Sequence, residues 1–264
     1  MRRTRIIQAL AWAAIVAGGV VTFTPAAQAT TIPVACSENA LVAAVDLANS
    51  TSAADTLALA SGCTYTMALP HGGLANALPV ITTPIEVIGP ETITRASLLL
   101  FRIAEVTSTG SLTLTTSVAF TNGSAVGNGG AIFNRGAVTL TVSSLSGNIA
   151  TGNGGGLANA DTPSGTAPAA TFTGNSVSNN TAALSGGGIA AINSTATTLT
   201  CTTVTTNTAV LGGGVYRQGG TMTTTNSPIS ANLLNTLRRL QKAPEIVQAF
   251  FRDPALSYIL ATET

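Results

Sequence analysis

Apolar and hydroxyl residues alternate with period 2 in short runs along most of the chain, most plainly in Leu112-Thr113-Leu114-Thr115 and Val138-Thr139-Leu140-Thr141-Val142. That period puts successive side chains on opposite faces of a strand. Between the runs four tracts recur: Gly129-Gly130-Ala131-Ile132, Gly154-Gly155-Gly156-Leu157, Gly186-Gly187-Gly188-Ile189 and Gly212-Gly213-Gly214-Val215, spaced 25, 32 and 26 residues apart. An Asn precedes each of the last three tracts, at Asn148, Asn180 and Asn207, and further Asn follow at Asn134, Asn159 and Asn193. A unit of this length, with short strands, Gly and Asn corners and no helix inside it, predicts one coil of a β-solenoid. Each strand would pair in parallel with its equivalent in the next coil, about 4.8 Å along the axis. Leu114, Leu140, Phe172, Cys201 and Met222 are then the expected inward stack, and Asn above Asn can bond through the side-chain amides. The regular return of large apolar residues separates the chain from a disordered Gly/Thr linker.

The two ends depart from this pattern. Arg2, Arg3 and Arg5 precede an apolar run from Ile6 to Val21, and Ala27-Gln28-Ala29 supplies small residues for cleavage after Ala29, so 1–29 reads as a signal peptide. An uncleaved anchor is the alternative, for which the apolar run is short. Residues 30–50 form the expected N-terminal cap: Ser37 can N-cap a helix with Glu38 in its first turn, and Leu41, Ala44, Val45 and Ala48 fall on one face. The solenoid is expected over 51–232. Residues 233–264 change character, with Leu233, Leu234, Leu237 and Leu240 at amphipathic spacing and Pro244 and Pro254 among them, and read as a helical tail or cap.

Composition adds what the solenoid's surface must be. Only 8% of the 264 residues are charged, while Thr occurs 43 times and Gly 27 times. Cleavage after Ala29 would leave 8 basic against 10 acidic side chains, and from Val106 to Leu237 only Arg135, Asp161 and Arg217 carry charge. Nucleic-acid binding is excluded, because counterion release needs clustered Lys and Arg. The outer faces must be solvated by neutral hydroxyls and amides. Of three cysteines, Cys36 and Cys63 are the natural disulfide in an exported chain, worth about 3 kcal/mol on the loop-entropy model. Cys201, between Thr200 and Thr202, is expected to be a buried core thiol.

The repeats resemble those of the right-handed parallel β-helix family. Gly129-Gly130-Ala131-Ile132 and Phe172-Thr173-Gly174-Asn175 match the GGAI and FxxN motifs of polymorphic outer membrane protein repeats, and the N-terminal part is similar to secreted bacterial β-helix proteins. The resemblance implies an all-β, right-handed parallel β-helix outside the cell, and it implies little about function. Many polysaccharide lyases and hydrolases share that scaffold, so an enzyme of the pectate-lyase-like fold is the alternative to a binding protein. Its chemistry would need an acidic Ca²⁺ cluster with a base, or two carboxylates flanking a glycosidic bond. The repeat region holds a single carboxylate, Asp161, in a turn-forming loop; Glu91 and Arg95 can pair on the surface. His71 has no second ligand near it in sequence. No catalytic residue, cofactor or metal is assigned.

One regularity points to a binding surface. The triplets Thr113-Leu114-Thr115, Thr139-Leu140-Thr141, Thr171-Phe172-Thr173, Thr200-Cys201-Thr202 and Thr221-Met222-Thr223 each set an apolar or thiol residue between two threonines. With the middle residue inward, the threonines would form two outer ladders, about 4.8 Å apart along the axis and roughly 7 Å across. This resembles the threonine arrays of β-helical ice-binding proteins. The expected function is non-catalytic: a secreted, adhesin-like solenoid presenting a neutral Thr/Asn-rich face to polysaccharide or a cell surface, with no membrane contact after signal cleavage, and with enzyme action and ice or crystal binding as the alternatives.

Overall fold

The computed structural model describes residues 28–160 and 167–234. It is a parallel β-solenoid of about seven turns with one helix, α1, at Glu38–Asn49. Each full coil visits four sheets in order. Face 1 has eight strands: Thr31–Val34, Asp55–Leu59, Pro84–Ile88, Ser111–Thr115, Ala137–Thr141, Ala169–Thr173, Ala196–Thr200 and Thr221–Thr225. Face 2 runs from Thr64–Met67 through Thr92–Arg95, Ala119–Thr121, Ser144–Ser146, Ser176–Ser178 and Thr203–Thr205 to Ile229–Ser230. Face 3 holds the two-residue strands Ser124–Ala125, Ile149–Ala150, Thr181–Ala182, Thr208–Ala209 and Leu233–Leu234. Face 4 holds Ala104–Val106, Ile132–Asn134, Leu157–Ala160, Ile189–Ile192 and Val215–Gln218.

Alternation fixes the inside. On face 1 Leu114, Leu140, Phe172 and Leu199 are stacked in register and fully buried, as are Phe120, Leu145, Val177 and Val204 on face 2. Ile132, Leu157 and Ile189 close the core from face 4. Corners need backbone that most side chains disfavour. The residue after a face 1 strand is left-handed at Thr116, Val142, Gly174, Cys201 and Asn226, and each Gly tract begins with a left-handed residue, as at Gly154 (φ 67°). The second glycine of the tract serves a different need: a Cβ on Gly155 would stand 2.4 Å from the carbonyl oxygen of Gly187 in the next coil. Only hydrogen fits there.

The amide ladder forms inside the corner between faces 2 and 3. Asn148 Nδ2 donates to Asn180 Oδ1 (2.9 Å), Asn180 Nδ2 to Asn207 Oδ1 (3.0 Å) and Asn207 Nδ2 to Asn232 Oδ1 (3.0 Å). Each Oδ1 also accepts the backbone N–H of the preceding Asn, and Nδ2 of Asn148, Asn180 and Asn207 also reaches a carbonyl: Phe120, Leu145 and Val177. A second, shorter row runs from Asn134 Nδ2 to Asn159 Oδ1 (2.7 Å) and from Asn159 Nδ2 to Thr197 Oγ1 (2.9 Å). Asn193 stands outside it at a left-handed bend.

At the N-terminal end α1 covers the first coil with Leu41, Ala44, Val45 and Ala48 buried, and Ser37 Oγ accepts from Ala40 N at 3.2 Å. The helix is tied to the coil below by Asn49, which donates to the Val80 carbonyl and accepts from Thr82, and by the Cys36–Cys63 disulfide. At the other end the solenoid does not stop at 232: Leu233–Leu234 pair with Thr208–Ala209 as a face 3 strand, because the corner Asn232 still completes the amide ladder. The rest of the expected tail, 235–264, and most of the expected signal peptide, 1–27, lie outside the described residues.

Candidate binding surface

Face 1 carries the array that the Thr triplets predict, with a shifted register at its C-terminal third. One outer column reads Thr31, Thr56, Glu86, Thr113, Thr139, Thr171, Thr198, Thr223 across all eight strands. The next outer column holds Thr141, Thr173, Thr200 and Thr225, with Thr115 at the equivalent strand end one coil earlier. Thr113, Thr115, Thr139, Thr141, Thr171, Thr173, Thr200 and Thr223 therefore lie on the surface as expected, although Thr200 and Thr223 change columns.

Thr202 and Cys201 fall elsewhere, and Thr221 stays on the outer surface of face 1 but outside both threonine columns. Thr202 is fully buried in the corner, where its hydroxyl donates to the Thr200 carbonyl and accepts from Asn175 N. Thr221 pairs with Ala196 in the column of Ala137 and Ala169, and its hydroxyl donates to the Thr195 carbonyl. Cys201 is an exposed left-handed corner residue and not a core thiol. The cause is register: the strand at Ala196–Thr200 points Thr197 and Leu199 inward, so Leu199 takes the place above Phe172 and Met222 stacks on Thr197. Asn159 makes that inward Thr197 acceptable by donating to its hydroxyl.

The lattice is neutral but for one carboxylate. Glu86 sits in the threonine column and accepts from Thr56 Oγ1 (3.4 Å) and Thr115 Oγ1 (3.3 Å). Along the axis the repeat is about 4.8 Å and across the strand about 7 Å. Face 2 extends the surface with a column that sequence reasoning missed: Thr66, Thr94, Thr121, Ser146, Ser178, Thr205 and Ser230 are stacked in register. Its signal was present in Thr92-Ile93-Thr94, Ser144-Leu145-Ser146, Ser176-Val177-Ser178 and Thr203-Val204-Thr205, hydroxyl triplets around one apolar residue.

Exposed apolar side chains gather elsewhere. Val126, Ile149, Leu184, Leu211 and Leu233 line the face 3 edge, and Leu69, Leu74 and Leu98–Leu100 belong to the loops that replace face 3 in the earlier coils. The hydroxyl faces thus carry few large apolar groups, Val142 at a corner and the half-buried Ile88, which pairs with Thr115 at the end of the outer column.

The charged residues assemble into structural clusters. Glu105 accepts from Arg102 Nη1 (3.0 Å), from Asn76 Nδ2 (3.1 Å) and from Arg135 Nη2, while both guanidiniums flank the Phe133 ring at 5.4 and 5.5 Å. Burial pulls the Arg102 guanidinium below its ordinary range, with Glu105 opposing that pull and Arg135 adding to it. A single carboxylate held by two guanidiniums offers no acid–base couple. Glu91 and Arg95 do not pair. Glu91 is buried and accepts from Gly62 N (3.0 Å), whereas Arg95 donates to the carbonyls of Asn122, Ser97 and Leu99. His71 Nε2 lies 3.0 Å from Glu38 Oε1, which also accepts from Ala68 N and Leu69 N and so fastens that loop to α1. Asp161 lies outside the described residues. Among the described residues no three His, Cys, Asp or Glu side chains come together as a metal site, and no helix is long and apolar enough to cross a membrane.

Comparison with known proteins finds no matching family model, no matching curated protein and no matching solved structure.

Proposed function

We propose that the chain is an exported, non-catalytic binding protein that uses the hydroxyl lattice of face 1 to hold polysaccharide at a cell or matrix surface. The observation that carries this reading is the in-register pair of outer threonine columns. Each Thr offers a donor, an acceptor and a methyl group, so a repeating polyhydroxyl polymer can be met by hydrogen bonds and apolar contact at every coil. Individual contacts of that kind are weak, and a rigid array of them gains by avidity and by having little entropy left to lose on binding. Export is supported by the N-terminal segment and by a disulfide, which persists in oxidising compartments. The likeness of the Gly tracts to polymorphic outer membrane protein repeats favours the same setting.

Pelleting with insoluble polysaccharides and cell-wall preparations tests the reading. The folded protein is expected to be retained, retention is expected to change little between low and high salt because the lattice is nearly uncharged, and Thr141→Lys with Thr173→Lys should abolish it. Failure of the folded protein to be retained on any of these surfaces would overturn the proposal. The same spacing of hydroxyl and methyl groups supports ice or crystal adsorption as a second reading, which thermal hysteresis and ice-crystal shaping at micromolar protein decide. Product formation from acidic glycans, lost on replacing Glu91 or Asp161, would instead favour the lyase or hydrolase.

A further inference from the structure

Asp55 begins the second strand of face 1 and is only 2% exposed, yet among the described residues no cationic side chain is bonded to it. Its partners are neutral. Oδ1 accepts from the backbone N of Thr30 at 2.8 Å and from Thr30 Oγ1 at 2.8 Å, and Oδ2 accepts from Thr51 Oγ1 at 3.0 Å. A buried carboxylate is costly without a counter-charge. The residue that supplies two of its three bonds is the first one after Ala27-Gln28-Ala29, the expected cleavage site.

We propose that cleavage after Ala29 creates the missing counter-charge: the new α-amino group of Thr30 forms an ion pair with Asp55, so that the mature chain gains a half-buried electrostatic clasp that the uncleaved chain lacks. The proposal rests on the export reading above for the position of the cut. Peptide-bond hydrolysis consumes one water, gives Ala29 its carboxylate and leaves Thr30 with an amine that takes up a proton at neutral pH. The nitrogen need not move, since it already stands at hydrogen-bond distance from Oδ1. Thr30 is itself exposed, which leaves water for the ammonium protons that Asp55 does not accept, and its carbonyl accepts from Thr56 N (2.8 Å), which holds the terminus in place.

Burial alone would raise the Asp55 carboxyl, and the bonds from Thr30 and Thr51 together hold it below the usual aspartate range, so it is anionic when the amine arrives. The other charged group on the adjoining strand is Glu86, already bonded to threonine hydroxyls; Asp46 on α1 is exposed. No cation competes for Asp55 among these neighbours.

The test has two independent arms. Intact-mass analysis of the protein recovered after export should give a chain beginning at Thr30; a different first residue overturns the proposal for the natural protein but leaves the export reading standing, whereas a chain found only uncleaved inside the cell overturns the export reading. Separately, chains beginning at Thr30 and at Ala29 are compared by denaturant unfolding. The Thr30 chain is expected to have an unfolding equilibrium constant about 10- to 100-fold smaller, in line with a hydrogen bond to a charged group. The advantage should fade as pH rises through the folded pKa of the amine, because an amine stabilised by its partner titrates above its ordinary value of about 8. In an Asp55→Asn background the two chains should converge. Equal stability with Asp55 intact would overturn the clasp even if the mass arm succeeds. Amine-selective labelling of the Thr30 chain gives a readout that does not depend on that variant folding well: the α-amine should react about tenfold more slowly in the native protein than after unfolding, and equal rates would count against the pair.

Discussion

Replacing Asn180 with alanine removes the central rung of the amide ladder, and the structure lets the loss be worked out bond by bond. The Asn180 side chain accepts from Asn148 N and Asn148 Nδ2 and donates to the carbonyl of Leu145 and to Asn207 Oδ1. Asn207 Oδ1 keeps the Asn180 backbone N–H, and Asn148 Nδ2 keeps Phe120 O, so the Asn148 N–H is left without its acceptor, while the Leu145 carbonyl, which stands in the face 2 ladder, loses only its side-chain donor. All of this lies in fully buried surroundings. At about 1–3 kcal/mol for the buried N–H left unpaired and about 0.5–1.5 kcal/mol for each of the three other bonds lost, the substitution should cost about 3–6 kcal/mol. Asn153→Ala is the matched control: it deletes the donation from Asn153 Nδ2 to Asn128 Oδ1 at a half-buried corner and should cost under about 1 kcal/mol. Denaturant unfolding of both variants measures the difference. If Asn180→Ala came within 1 kcal/mol of Asn153→Ala, the inner ladder would be ornament to a solenoid held by its apolar stack alone.

Three further outcomes follow from particular residues. Val142→Gly should stabilise the protein by about 1 kcal/mol, because a β-branched, exposed residue sits at φ 49° where Gly174 serves in the next coil; a lower melting temperature would refute this. Burial opposes ionisation of Asp55 and Glu38, but the bonds to Thr30 and Thr51, and to Leu69, Ala68 and His71, outweigh it, so both ionise more readily in the folded chain. Their stabilisation is therefore complete above the ordinary carboxylate range near 4 and is lost as pH falls through their folded values; unfolding midpoints that stay constant from pH 5 to pH 3 would contradict the assignment. Cys201 should take one thiol label in native protein without reductant, and unfolding should reveal no more, since Cys36 and Cys63 are bonded. Native resistance to labelling would return Cys201 to the core.

The elements with a strict apolar alternation could be read from residues alone. Leu112 to Thr115, Val138 to Thr141, the α1 face and the Cys36–Cys63 pair stand where the pattern puts them. Register became unreadable where hydroxyls occupy both sides of the strand. In Thr195 to Thr203 six of the nine residues are Thr, so a slip of two residues preserves the appearance of Thr-x-Thr triplets, and only the packing of Leu199 on Phe172 decides the pairing. Inward Thr197 breaks the rule that core positions are apolar, and its license comes from Asn159, 38 residues away. Buried Glu91 was hidden for a related reason: its partner is a backbone N–H, which leaves no mark in the sequence.

The bonds of this molecule run from each coil to its neighbours and scarcely further, and the 32-residue spacing between Gly154 and Gly186 shows that one coil has taken extra chain at a corner without disturbing the stacking on either side. Growth of such a protein is consequently modular. Duplication of one repeat would lengthen the threonine columns by a fixed increment of about 4.8 Å, adding grip without altering the lattice, so the reach of the protein along its target can be set by the number of repeats alone, like the length of a zip set by its teeth.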